Sequence, residues 1–192
     1  MALDDNSFSI FLDTIKKFVD NKLIPREQEV EDTNSIPIDI VREMKDIGLF
    51  GISIPTKYGG SNLSMEQEVK LTFELGRASP AFRSMAGTNI GIGSQTIVMA
   101  GTDKQKNKYL PKFSTGDIIG SFALTEPDSG SDAMSIKTTA KKKGNEYIIN
   151  GTKRYITNAP IAGVFSVMAK TKDEKSSSSI SCFLVDSDLP GI

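Results

Sequence analysis

The run Phe122-Ala123-Leu124-Thr125-Glu126-Pro127-Asp128-Ser129-Gly130-Ser131-Asp132 decides how the rest of the chain is read. It begins as a short strand, with Ile118, Ile119, Phe122 and Leu124 apolar, and then breaks into turn formers through which no regular ladder can continue. A backbone that leaves a strand in this way is shaped to wrap something. Glycine at 130 allows close approach or positive φ. The hydroxyls of Thr125, Ser129 and Ser131 both donate and accept, which suits the carbonyls, ring nitrogens and phosphates of a nucleotide cofactor. The same residues also admit a plainer reading, a polar loop between two strands.

Upstream of this run the apolar residues recur at spacings of three and four, the mark of buried helical faces. Phe8, Phe11, Leu12, Ile15, Phe18, Val19 and Leu23 predict one helix over about 6–23, stopped by Pro25 and the acidic run to Asp32. A second helix is expected from Pro37 to Ile47, with Gly48 as its C-terminal stop. Gly51 to Pro55 reads as extended and ends in the glycine turn at Tyr58-Gly59-Gly60. Ser64 with Gln67 and Thr102 with Gln105 are capping boxes, and they open helices over 65–75 and up to Gly116, the latter kinked or shortened by Pro111. Between them a helix from Pro80 or Ala81 to about Met99 carries Ala86, Gly87, Gly91, Gly93 and Ser94, which read as close helix packing. Gly91-Ile92-Gly93-Ser94-Gln95-Thr96 follows a helical pattern and lacks the third glycine of a dinucleotide fingerprint, so it is not taken as one.

Downstream the period falls from 3.6 to 2, which sets a domain boundary near 115–118. The expected class is α+β, an N-terminal α-helical domain over 1–116 followed by a mainly antiparallel β domain over 117–192. Ile136, Thr138 and Ala140 alternate, Lys143-Gly144-Asn145 turns the chain, and Tyr147 and Ile149 continue it. Asn150-Gly151 is the strongest hairpin signal in the chain, and it places Tyr155-Ile156-Thr157 on the next strand. Two more strands are expected over Phe165–Ala169 and Ile180–Val185, separated by a solvated loop over 172–179.

Composition excludes several classes of function. Of 192 residues 38% are hydrophobic and 24% charged, and 23 basic against 24 acidic residues leave a net charge of −1. That balance gives no electrostatic case for nucleic acid. The longest apolar run, Ile161 to Ala169, is too short for a membrane span, and Asp4 and Asp5 stand where a signal peptide needs basic residues, so a cytoplasmic protein is expected. The chain has no histidine and one cysteine, Cys182. Histidine-based nucleophile systems, a histidine general base and a His-containing metal site are thereby removed, and no metal site is expected. Cys182 reads as a small core residue in a reducing compartment.

The segment from Ala123 to Asp132 closely resembles the signature by which acyl-CoA dehydrogenases bind the flavin of FAD. Tyr147-Ile148-Ile149-Asn150-Gly151-Thr152-Lys153-Arg154-Tyr155-Ile156-Thr157-Asn158 follows at a family-like distance and resembles that family's second flavin-contacting segment. The resemblance extends to Gly101-Thr102-Asp103-Lys104-Gln105-Lys106, Tyr109-Leu110-Pro111 and Pro55-Thr56-Lys57-Tyr58-Gly59-Gly60, and so covers nearly the whole chain. It implies an FAD-dependent oxidoreductase of fatty acid metabolism that dehydrogenates an acyl-CoA thioester at Cα–Cβ, passes electrons to an electron-transfer flavoprotein and works as a homo-oligomer.

Residue by residue, the resemblance implies that Phe122, Leu124 and Thr125 line the flavin and bond its pyrimidine edge. Gly130 and Ser131 continue along the ribityl and pyrophosphate part, with Ser131 also near the acyl thioester. Tyr155 and Ile156 pack at the ring, and Thr157 bonds near its reactive nitrogen. On composition alone, Phe122, Leu124, Tyr155 and Ile156 read as strand core. Glu126 and Asp132 read as acceptors that hold the shape of the loop. Met85, Gly87 and Ile90 are expected either to line the acyl tail or to pack in the core. The family's base is a glutamate on a later helical domain, which implies that these 192 residues lack it. The rival readings are a non-catalytic, dehydrogenase-like flavin-binding or interaction module, and a relative that oxidises another substrate on the same scaffold.

Overall fold

The computed structural model describes residues 3–171 and 179–192. Most of the loop expected over 172–179 lies outside them. The chain divides into two compact units, Met1–Ile118 and Ile119–Ile192.

The first unit is helical: α1 Asp5–Phe18, α2 Glu27–Thr33, α3 Ile38–Asp46, α4 Met65–Leu75, α5 Pro80–Thr88, α6 Ser94–Ala100 and α7 Asp103–Thr115. Local chemistry sets most of the ends. Asp4 caps α1 by accepting from Ser7 N at 3.0 Å. Both expected capping boxes form, at Ser64 with Gln67 and at Thr102 with Gln105, and Gly116 ends α7 at φ 74°. Ile15, Ile40, Met44, Phe50, Leu71, Phe82 and Phe113 are fully buried.

Three helical expectations change. The acidic run after Pro25 does not stop a helix; it forms α2 after a single 3-10 turn over Ile24–Arg26, because proline is tolerated in a first turn and acids favour a helix N-terminus. The segment from Gly51 to Pro55 is turn and bend rather than extended chain, set between 3-10 turns at Leu49–Gly51 and Thr56–Tyr58. The helix expected over 80–99 is broken by a wide turn at Asn89–Gly93, where Gly91 leaves helical geometry at ψ −109°. A Cβ at Gly91 would meet nothing within 4 Å, so this glycine serves the break and not close packing. Met85 and Ile90 are buried, as core packing requires.

The second unit is a sheet of β1 Gly120–Ala123, β2 Thr139–Lys143, β3 Glu146–Asn150, β4 Val164–Thr171 and β5 Ser179–Asp186. β5 pairs antiparallel with β4 along its whole length, so β1 and β2 must share the other edge of β4. Both run parallel to it, β1 up to Ala123 opposite Val167 and β2 from Thr139 opposite Lys170. The β2–β3 hairpin is antiparallel and turns at Gly144, φ 62°. The helical unit followed by a sheet unit is the expected class, and the sheet is mixed rather than purely antiparallel. This topology places the site. All of residues 124–138 must leave and rejoin the edge of β4 between Val167 and Lys170, so they have to stand out from the sheet as a shaped loop.

Two further points differ from expectation. Cys182 is exposed on β5 rather than packed in the core. Asn150-Gly151 is not a hairpin turn: the chain after β3 continues without a ladder, and Tyr155-Ile156-Thr157 lies in an irregular segment that ends in a 3-10 turn at Ala159–Ile161. Among the described residues no helix is long and apolar enough to cross a membrane.

Candidate functional site

The loop that leaves β1 is built on a tight turn. Glu126 N donates to the Ser129 carbonyl at 2.8 Å and Ser129 N to the Glu126 carbonyl at 3.3 Å, which leaves Pro127 and Asp128 at the tip. Ser129 Oγ donates to the Asp132 carbonyl at 2.7 Å, and the Ser135 hydroxyl donates to the Asp132 carboxylate. At the tip Lys137 Nζ pairs with Asp128 at 2.7 Å.

Glu126 anchors the turn to the sheet. Its carboxylate, 4% exposed, accepts from the backbone N–H of Lys137, from the backbone N–H of Thr138 at 2.9 Å, from the Thr138 hydroxyl and from Lys153 Nζ at 2.9 Å. Burial alone would push this carboxyl up. The Lys153 ammonium, the Thr138 hydroxyl and the two backbone donors outweigh burial and hold it at about 2. A carboxylate engaged in this way keeps the loop in shape and is a poor proton acceptor, as expected of Glu126 and Asp132.

The second segment is tied to the first by backbone and side chain. Arg154 N donates to the Thr125 carbonyl at 2.8 Å, Lys153 Nζ to the Leu124 carbonyl at 2.9 Å, and Ser121 Oγ to the Thr157 carbonyl at 2.7 Å. Residues 121–126 and 153–157 are therefore one hydrogen-bonded body. Gly151 is required just before it: a Cβ there would lie 2.2 Å from Thr138 Oγ1 and 2.7 Å from Thr138 Cα. Close approach of Thr138, which no local pattern signals, takes the place of the hairpin.

The residues singled out from sequence differ in their exposure. Phe122, Leu124 and Thr125 are half-buried at the end of β1; Gly130 and Ser131 are exposed on the loop; Thr157 is exposed beside Ser121. Tyr155 is 78% exposed, so it is not strand core, and it holds φ 59° with the Arg154 guanidinium 4.5 Å from its ring centroid. Positive φ is rare for a bulky residue and gathers at functional sites. Ile156 stands apart, since it lines an apolar cleft of about 550 Å³ with Phe165, Val167, Phe183 and Val185. Gly130 does not hold positive φ, and its Cβ position is open, while Ser129 is buried with its hydroxyl spent on the Asp132 carbonyl and is not free for a ligand. Lys153, Ser121 and Thr138 were missed. No local signal marks them, since Lys153 stands among polar residues, between Thr152 and Arg154.

A division of hydroxyls tests whether these residues fit a flavin nucleotide. Ser121, Ser129, Ser135 and Thr138 spend theirs inside the loop body. Those of Thr125, Ser131 and Thr157 make no bond among the described residues. The site thus keeps uncommitted donors and acceptors of the kind a polar cofactor uses, on a backbone that is already fixed. The residues fit the group.

A helical unit followed by a mixed sheet, with polar loops held rigid at one sheet edge, defines a two-unit α+β protein. The chain belongs to the acyl-CoA dehydrogenase family: residues 7–117 match the acyl-CoA dehydrogenase N-terminal domain and residues 121–192 the middle domain. It is 35% identical over 177 residues to an acyl-CoA dehydrogenase of Bacillus subtilis (strain 168), covering 92% of this chain and 47% of the relative. It is 38% identical over 182 residues to the mitochondrial isovaleryl-CoA dehydrogenase of Pongo abelii, covering 93% and 43%. Among solved structures, the acyl-CoA dehydrogenase from Bacillus anthracis complexed with FAD matches with a TM-score of 0.85 at 34% identity, over 100% of this chain and 33% of that one. The chain spans about half the length, or less, of these relatives.

Proposed function

We propose that these residues carry part of the FAD site of an acyl-CoA dehydrogenase, with a helical domain over 1–116 and a β domain over 117–192. Phe122, Leu124, Tyr155 and Ile156 give apolar and aromatic surface to the ring. Thr125 and Thr157 bond its polar edge, and Gly130 and Ser131 follow the ribityl and pyrophosphate part, with Ser131 also toward the acyl thioester. When bound, FAD supplies the electron-accepting ring for dehydrogenation of an acyl-CoA at Cα–Cβ. The observation that supports this reading is that the hydroxyls of Thr125, Ser131 and Thr157 make no bond among the described residues, on a loop body held in shape by those of Ser121, Ser129, Ser135 and Thr138.

The base that removes the α proton comes from outside these 192 residues. Of the loop's carboxylates, Glu126 is buried in its framework, while Asp128 and Asp132 are exposed and paired with Lys137 and the Ser135 hydroxyl. The electron acceptor would be an electron-transfer flavoprotein, and the working protein is a cytoplasmic homo-oligomer acting in fatty acid metabolism.

Thr157→Val in the protein that includes the base tests the assignment. The hydroxyl bonds nothing among the described residues, so the melting temperature stays within about 2 °C. Losing its bond to the reduced ring costs about 1–3 kcal/mol, or about 5- to 150-fold in the rate of flavin reduction by acyl-CoA esters. Stopped-flow absorbance with esters of varied length and branching measures this and ranks the substrates. An unchanged rate across the panel contradicts the role given to Thr157.

A further inference from the structure

Lys153 is a largely buried cation with two partners in one segment and none among the described residues of its own. Its side chain is 12% exposed, and Nζ lies 2.9 Å from both the Leu124 carbonyl and the Glu126 carboxylate. A lone carbonyl does not compensate a buried ammonium, so the contact to Leu124 depends on the charge of Glu126. Glu126 in turn is fixed by Thr138 and by the backbone of Lys137 and Thr138, at the start of β2. The chain of contacts therefore runs from the sheet through Glu126 and Lys153 to the backbone just before Thr125, and Arg154 N completes it at the Thr125 carbonyl.

We propose that Glu126 and Lys153 form a positioning clasp for the flavin site, in which Lys153 fixes the Leu124 carbonyl and so sets the direction in which Thr125 presents its amide and hydroxyl to the ring. The clasp rests on the flavin reading of Thr125. It touches no cofactor itself. Its polarity is one-way, because position 126 must accept from two N–H groups and a hydroxyl and position 153 must donate to a carbonyl; exchanging the two charges satisfies neither end.

Hydrogen exchange by mass spectrometry on the 192-residue chain reads the clasp without any cofactor. Lys153→Met and Glu126→Gln each speed exchange in 124–132 and 151–158 at least tenfold and leave β4 and β5 protected, and the double variant is no faster than the faster single one. Lys153→Arg restores most of the protection, which also covers the case in which Lys153→Met fails to fold. The exchanged pair, E126K with K153E, is as loose as either single variant. Equal acceleration throughout the sheet, or none in the two segments, overturns the clasp. A second arm follows the Thr125 amide by NMR with added FAD. If wild type responds and Lys153→Met responds identically, the clasp is wrong and the flavin reading stands. If wild type gives no response while the exchange pattern is as described, the flavin reading fails, and with it the role of the clasp in that site.

Discussion

Gly151→Ala destabilises the sheet unit by about 3 kcal/mol or more, at the upper end of what overpacking costs. The added methyl would stand 2.2 Å from Thr138 Oγ1, 2.6 Å from its Cβ and 2.7 Å from its Cα. The nearest atom is no free rotor, because the Thr138 hydroxyl is bonded to Glu126 and its amide to the same carboxylate. Relief therefore means shifting the backbone at the start of β2 or giving up bonds to Glu126. For the same reason Thr138→Ala does not rescue the variant, since Cβ and Cα remain in the way. Urea denaturation of both variants, followed by exchange protection in β2 and β3, measures the loss. A change under about 1 kcal/mol would mean that the two segments can separate freely, which contradicts a single loop body.

A second expected result is a complete absence. Acyl-CoA esters of any length added to the 192-residue chain with FAD produce no bleaching of the flavin absorbance. Removing hydrogen across Cα–Cβ needs a base at the α proton, and each carboxylate of the loop already has a partner in it. Glu126 is held at about 2 by its donors, Asp128 is paired with Lys137, and Asp132 takes the Ser135 hydroxyl. Substrate bleaching with stoichiometric flavin would place the base within this chain.

What the sequence revealed about the fold depended on how local the signal was. The boxes at Ser64 with Gln67 and Thr102 with Gln105 join residues three apart, and both form as read. Pro25 misled because proline ends one helix and begins another equally well, and only the packing of Val30 decides that the acids after it are helical. Asn150-Gly151 misled for a related reason. Glycine serves both a tight turn and a close approach, and the residue that decides between them, Thr138, lies on another strand. The parallel pairing of β1 and β2 with β4 is likewise set by contacts distant in sequence, which an alternating pattern leaves open.

The same contrast governs the site. Thr125, Ser131 and Thr157 stood out because their residue types suit a nucleotide and their segments resemble a family signature. Lys153 did not, because a lysine's ordinary place is on the surface, and its burial follows only once Glu126 is known to lie beside it.

The proposed cofactor surface is made of residues 122–131 and 155–157, already shaped by the chain itself. The most direct test is a titration of the ¹⁵N-labelled 192-residue chain with FAD up to millimolar concentration, where even the weak binding expected of a partial site registers. The predicted result is that the amides of Leu124, Thr125, Gly130, Ser131, Tyr155 and Thr157 shift together along one binding curve, while those of the β2–β3 hairpin tip at Lys143-Gly144-Asn145 stay in place. Shifts confined to other residues, or no shift at any of the six, would contradict it.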